Sequence, residues 1–240
     1  MIRKILLQTQ YVRSPEALAI RTAILLGENN IPVIISDCPG SCVDGMPVGS
    51  VTYVLNGLRM RRIAIPPVLN YPKVLLPYLH REIWPSLLEK EIGSTTWIKS
   101  ASHTKLFMPG PANRKELRLL DPKTPIFAST PVRWLCEWRY YVAGGYRLWE
   151  ERYDPYGADD TPKPDDNVVD AMLNAYESSG EAPVGYALDV GILDDGRTAL
   201  IEVNDGYALG FYGRVTSDRA RAYLRLLRSR YEQILEDRAL

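Results

Sequence analysis

The sequence predicts a mixed fold of strands and helices that opens as a parallel α/β unit and ends around a long β-hairpin. Two observations carry that reading. A strand–helix–strand pattern fills the first 36 residues, with apolar runs at Ile2–Gln8 and Ile31–Ser36 around a capped helical segment. Later, VGYALDVGILDDGRTALIEVNDGYALG (184–210) alternates Val184, Tyr186, Leu188, Val190 and Ile192 at every second position. It then turns at Asp194-Asp195-Gly196, where glycine takes the positive φ a short hairpin needs.

Composition bounds the function. Hydrophobic residues make up 46% of 240, enough for a substantial core. Lys plus Arg and Asp plus Glu both number 29, which argues against a general nucleic-acid coat while allowing a local basic cleft. No apolar run approaches membrane-span length, and MIRKILLQTQ lacks the apolar region and cleavage site of a signal peptide. Three cysteines (38, 42, 136) and two histidines (80, 103) without metal spacing argue against a zinc enzyme and point to a reducing cytoplasm.

In order, Ser14 caps a helix with Pro15 in its first turn, and Gly27-Glu28-Asn29-Asn30 ends it. The segment DCPGSCVDGMPVGS reads as a turn-rich connection. Its Gly40 and Gly45 lack the GxxxxGK series of a phosphate loop, and Cys38 and Cys42 lack the CxxC spacing of a redox pair. A strand is expected over Val51–Leu55, and a proline-interrupted helical region over Tyr71–Glu89. A boundary near residue 91 then divides the chain into an N-terminal unit, 1–90, and a second domain, 91–240. Thr96–Lys99 reads as a strand, with another starting near Lys105; the two lysines suit a polyphosphate or simply an exposed hairpin.

Ile126–Ala128 is a short strand before the segment Val132–Val142. Alternation there puts Glu137, Arg139 and Tyr141 on one face and Trp138, Tyr140 and Val142 on the other, so the strand should be central. Arg139 then needs a carboxylate or a phosphate. Arg147, after the Gly144-Gly145 turn, is a second candidate cation or else a solvent-facing residue on an outer strand. The polar connection 154–165 reads as a surface loop that could also rim a site, and Asp166 or Asn167 caps a helix to Ser179. Asp189 interrupts an apolar strand, where a bare acid is costly. Glu202 and Asn204, two apart, leave one side of the returning strand. If Asp189 faces them, three oxygen donors converge and suit Mg²⁺ or Mn²⁺; otherwise they point to solvent. A closing helix, 217–237, buries Ala220, Leu224, Leu227, Tyr231 and Leu235 and turns its arginines outward.

The segments WIKSASHTKLF, CEWRYYVAGG and ALDVGILDDGRTALIEVNDGYALG, in that order over residues 90–215, resemble the RimK-like part of the ATP-grasp superfamily. Within it they are similar to the clade named for its two arginines and a lysine. The resemblance implies an ATP-grasp fold in which an N-terminal α/β pre-ATP-grasp subdomain precedes two α+β subdomains that hold a nucleotide between them. It implies that Lys99 and Lys105 hold phosphates of ATP, that Glu137 and Arg139 belong to the nucleotide site, and that Arg139 is catalytic, near the transferred phosphate. Asp189, Glu202 and Asn204 would ligate Mg²⁺, with the hinge Ser129–Arg133 passing the adenine. One departure stands out: the clade often has Arg then Pro where this chain has Lys99-Ser100, which keeps the charge and loses the bidentate reach. The activity implied is an ATP- and Mg-dependent ligation of a carboxylate to an amine or thiol, on a small molecule or peptide, through an acyl phosphate. Phosphoryl transfer to a non-carboxylate acceptor and nucleotide binding without turnover stay open beside it.

Overall fold

The computed structural model describes residues 2–27, 31–154, 160 and 162–237. The end of the first helical signal, Glu28-Asn29-Asn30, lies outside them, as do residues 155–159 and 161 of the polar connection.

The described residues form three sheets. The first is parallel, in the order β2-β1-β3, from β1 (Lys4–Leu7), β2 (Val33–Ile35) and β3 (Gly45–Val48). Helix α1 (Pro15–Leu25) crosses from β1 to β2, and the Ser14 hydroxyl accepts a hydrogen bond from the Ala17 amide to start it. The connection 37–50, expected to be turn-rich, is not turn alone. It contains β3, whose Gly45 and Pro47 hide a strand from propensity, and whose edge position tolerates the proline. The strand expected over Val51–Leu55 is instead the start of helix α2 (Val51–Met60). The Ser50 hydroxyl accepts from the Tyr53 amide, and Val54, Leu55 and Leu58 are buried at helical spacing.

The second sheet is antiparallel, in the order β4-β7-β5-β6, from β4 (Ile83–Leu87), β5 (Trp97–Ser100), β6 (Gly110–Pro111) and β7 (Pro125–Ser129). The region Tyr71–Glu89 thus departs from the helical expectation. It is a 3-10 turn at Lys73–Tyr78, then edge strand β4, with the short helix α3 (Leu88–Glu91) after it. Pro85 sits on the edge of the sheet, where a missing amide does no harm. Strand β4 pairs with β7 along its whole length, so this sheet runs across position 90. No strand begins near Lys105; residues 101–109 are a loop that joins β5 to the two-residue β6.

The third sheet runs β11-β10-β8-β9 and is antiparallel throughout, from β8 (Trp134–Ala143), β9 (Tyr146–Arg152), β10 (Gly185–Leu193) and β11 (Thr198–Asp205). Strand β8 is central and buried on both faces. Tyr141 joins the core shared with α1, α2 and the closing helix α5 (Ser217–Glu236), while Tyr140 and Val142 join the core under α4 (Asp166–Ser178). Asp165, one residue before the expected caps, starts α4 by accepting from the Asn167 amide. Gly196 makes the β10–β11 turn at φ +87°. One arginine of α5 departs from the outward-facing expectation: Arg230 is buried and holds both Asp205 oxygens at 2.7 Å. Arg147 stays on outer strand β9, paired at the surface with Asp166 at 2.7 Å.

Candidate active site

The site lies where the second and third sheets face each other. Register brings its charged residues together. Asp189 on β10 stands directly opposite Arg139 on β8 and Glu202 on β11. A bulge makes the second pairing: register slips between Asp189 and Val190, leaving Ile201 as the extra residue of β11. Arg81 covers that irregularity. Its guanidinium donates to the Leu200 carbonyl at 2.7 Å and the Ile201 carbonyl at 2.9 Å, and it lies 5.3 Å from the Trp134 ring centroid. Burial lowers its pKa.

Arg139 grips Asp189 through both oxygens, Nε–Oδ1 and Nη2–Oδ2 at 2.7 Å each, and Asp189 is 2% exposed. The Asn204 amide donates to Asp189 Oδ2 at 2.9 Å. Across the cleft, the Lys99 ammonium on β5 pairs with Glu202 and donates to Asn70 Oδ1 at 2.7 Å. Two carboxylates of one hairpin therefore each meet a cation, one from their own sheet and one from the opposing sheet.

Burial acts on all four groups. It would raise Glu202, but Lys99 overcomes it and the carboxyl falls below its ordinary range. Burial also lifts Asp189, against the pull of Arg139, while Asp189 raises the Arg139 guanidinium well above its ordinary value, so the arginine keeps its proton. Glu137 rises through burial, with Tyr153 hydrogen-bonding to it and pulling the other way. Tyr153 and Tyr212 stack at 5.1 Å and flank Arg139, whose guanidinium carbon lies 5.5 and 5.0 Å from their rings.

Two adjoining cavities meet at this cluster. The larger, about 480 Å³, lies between the sheets; Ile83, Phe127, Trp134 and Ile201 give it apolar walls, and Ser129, Thr130 and Val132 border it. The smaller, about 140 Å³, lies beyond Glu202 and includes Asn204, Asn70 and His103 in its lining. Lys99, Lys105, Arg139 and Glu202 line both, whereas Glu137 and Asp189 line only the larger. Lys105 is exposed on its loop and still pulls on Asp189 and Glu202 electrostatically. Among the described residues no three His, Cys, Asp or Glu cluster as a metal site; the set here is two carboxylates and one amide. Hard oxygen donors of that kind fit Mg²⁺ or Mn²⁺.

Sequence reasoning missed Asn70, Arg81, Tyr71, Tyr153 and Tyr212. The ring of Tyr71 lies 4.9 Å from the Lys99 ammonium. Asn70 and Arg81 acquire their partners from β5 and from the β11 bulge, more than twenty residues away in the chain, and no local pattern marks such contacts.

The family model for the ATP-grasp domain of the clade named for two arginines and a lysine, the second family of that clade, matches residues 78–222, more than half of the chain. The chain belongs to the ATP-grasp superfamily, in that clade. Solved ATP-grasp structures share the fold. A RimK domain ATP-grasp protein from Sphaerobacter thermophilus aligns over 93% of this chain and 97% of its own, at 16% identity and a TM-score of 0.53. D-alanine–D-alanine ligase from Bacillus anthracis covers 100% and 99% at 14% identity and 0.56. The macrocyclase MdnC from Microcystis aeruginosa, bound with the precursor peptide MdnA, covers 94% and 99% at 12% identity and 0.52. No curated protein matches the chain in sequence. No helix among the described residues is long and apolar enough to cross a membrane.

Proposed function

We propose that this ATP-grasp protein is an ATP-dependent ligase that joins a carboxylate to an amine or thiol through an acyl phosphate. The observation that supports it most is the paired set at the cleft floor. Asp189 and Glu202 stand opposite one another on the hairpin, and Arg139 and Lys99 neutralise them beside a cavity of about 480 Å³. The names of two fold relatives, a macrocyclase and a D-alanine–D-alanine ligase, agree with that chemistry.

In this reading the adenine lies against the hinge Ser129–Arg133, between Ile83, Phe127, Trp134 and Ile201. That hinge is tied to the β10–β11 turn, because the Asp194 amide donates to the Arg133 carbonyl at 3.0 Å. Glu137 serves the nucleotide within the same cavity. Lys99 and Lys105 take phosphate oxygens, and Arg139 faces the transferred phosphoryl group as the catalytic cation. Asp189, Glu202 and Asn204 would hold Mg²⁺ or Mn²⁺, which would supply positive charge to neutralise the triphosphate. In this reading the N-terminal unit gives way to the ATP-grasp domain near residue 80 rather than residue 90, because β4 hydrogen-bonds β7.

The chemistry follows from a difficulty: a carboxylate repels nucleophiles and has no leaving group. Its oxygen attacks the γ-phosphorus, the bond to the bridging oxygen breaks, and ADP departs. The resulting mixed anhydride accepts the lone pair of an amine or thiolate at its carbonyl carbon; phosphate then leaves and an amine sheds its proton. The protein's part is alignment and charge neutralisation by Lys99, Lys105 and Arg139. The acceptor belongs to the small-molecule or peptide class, with the cavity of about 140 Å³ as its entry. We place the reaction in the cytoplasm, in keeping with free Cys38, Cys42 and Cys136.

Hydroxylamine tests this proposal. With Mg-ATP and a pool of carboxylates it should trap the activated carboxyl as a hydroxamate while ADP accumulates. ADP released with a stable phosphoester and no hydroxamate would replace ligation by phosphoryl transfer.

A further inference from the structure

Asn70 lies in the segment that leads from the N-terminal unit to the 3-10 turn at 73–78, and three observations converge on it. Its backbone sits at φ +39°, in the left-handed region that side chains rarely adopt. Its carbonyl accepts from the Val203 amide at 2.8 Å, an isolated antiparallel bridge that lands on β11 between Glu202 and Asn204. Its Oδ1 accepts from the Lys99 ammonium at 2.7 Å. A bend alone would be served by glycine at no steric cost. What glycine lacks is the amide, and the amide goes to Lys99. Backbone strain kept at a cleft, with its side chain on a site cation, points to function.

The partner of Lys99 on the other side is Glu202. A divalent ion on Glu202 would weaken that carboxylate's hold on Lys99, and a triphosphate would compete with Glu202 for the ammonium's donors. Asn70 is uncharged and competes with neither. An ammonium has three donors, so one can stay on Asn70 Oδ1 while the others turn to phosphate oxygens. Lysine has a long flexible stem and, unlike arginine, no planar fork to fix its direction, so it needs such an anchor.

We propose that Asn70 is the positioning residue for Lys99: it keeps the ammonium aimed into the cleft when Glu202 is given up. Its carbonyl ties that aim to the strand that carries Glu202 and Asn204. The proposal rests on the nucleotide site described above and names a residue that acts there through the lysine.

Calorimetric binding of the β,γ-imido analogue of Mg-ATP separates the two. Asn70→Gly keeps the positive φ and the bridging carbonyl and deletes only the amide. It should weaken analogue binding about tenfold, the worth of one hydrogen bond to a charged group, with the melting temperature unchanged. In a Lys99→Met background the same substitution should have no further effect. Wild-type affinity in Asn70→Gly, or losses that add in the double variant, would overturn the proposal. A wild-type protein that binds no analogue would instead overturn the nucleotide site itself. If Asn70→Gly does not fold, Asn70→Asp answers the question. Its carboxylate should pin Lys99, raise the melting temperature and weaken binding, whereas wild-type values for both would contradict the role.

Discussion

Removing Asp189 would leave Arg139 charged and buried, since the guanidinium spends two of its donors on that one carboxylate. The two acids of the hairpin are therefore unequal as mutational probes. Asp189→Ala should cost about 3–5 kcal/mol of stability as well as activity, because breaking a buried pair strands the surviving charge. Glu202→Gln keeps an acceptor for Lys99 and should unfold within about 1 kcal/mol of wild type, while turnover falls at least roughly a hundredfold through lost charge. Denaturant unfolding beside ATP turnover distinguishes them; equal stability of the two variants, or normal turnover by Glu202→Gln, would contradict the assignment.

At the scale of elements, the hairpin β10–β11 sets the geometry, and one glycine closes its far end. A Cβ on Gly206 would press against the Gly185 backbone and the Leu226 side chain. Gly206→Ala should cost about 1–3 kcal/mol and weaken ATP binding with it, because the displaced segment directly follows Asn204 and Asp205. Unfolding midpoints and nucleotide affinity that both match wild type would show that the close approach is dispensable. The hairpin itself was readable from the sequence, because its apolar alternation and Asp-Asp-Gly turn are local signals. So was the face of β8 that carries Glu137 and Arg139. Helix α2 was not readable as a helix, since Val51–Leu55 alone fits either period; the Ser50 cap and Leu58 were the signals that decide it. Strands β3 and β4 carry Pro47 and Pro85, which only their edge positions excuse, and an edge is a property of the assembled sheet. The same holds for Asn70, which meets Lys99 of β5 and Val203 of β11, and for Arg81, which covers the β11 bulge; no local window contains those partners.

Across the whole molecule, contacts from three regions hold the segment that follows β11. Glu16 of α1 accepts from the Phe211 amide at 2.9 Å, the Tyr141 hydroxyl of β8 donates to the Gly210 carbonyl at 2.7 Å, and the Tyr223 hydroxyl of α5 donates to the Leu209 carbonyl at 2.6 Å. Arg230, also of α5, secures Asp205 at the start of the segment. This segment carries Tyr212 to its place beside Arg139, so the N-terminal unit and the closing helix both support the cleft. Lys99 reaches the same place from the opposing sheet, and its contact with Glu202 closes the cleft floor. In the proposed reading a triphosphate bound there competes with Glu202 for Lys99. The most direct measurement is a crystal structure with Mg²⁺ and the β,γ-imido analogue of ATP. The account predicts the adenine beside Thr130–Val132, the phosphates on Lys99, Lys105 and Arg139, and Glu202 parted from the lysine; a nucleotide seated elsewhere, or a Lys99–Glu202 contact unchanged beneath it, would contradict it.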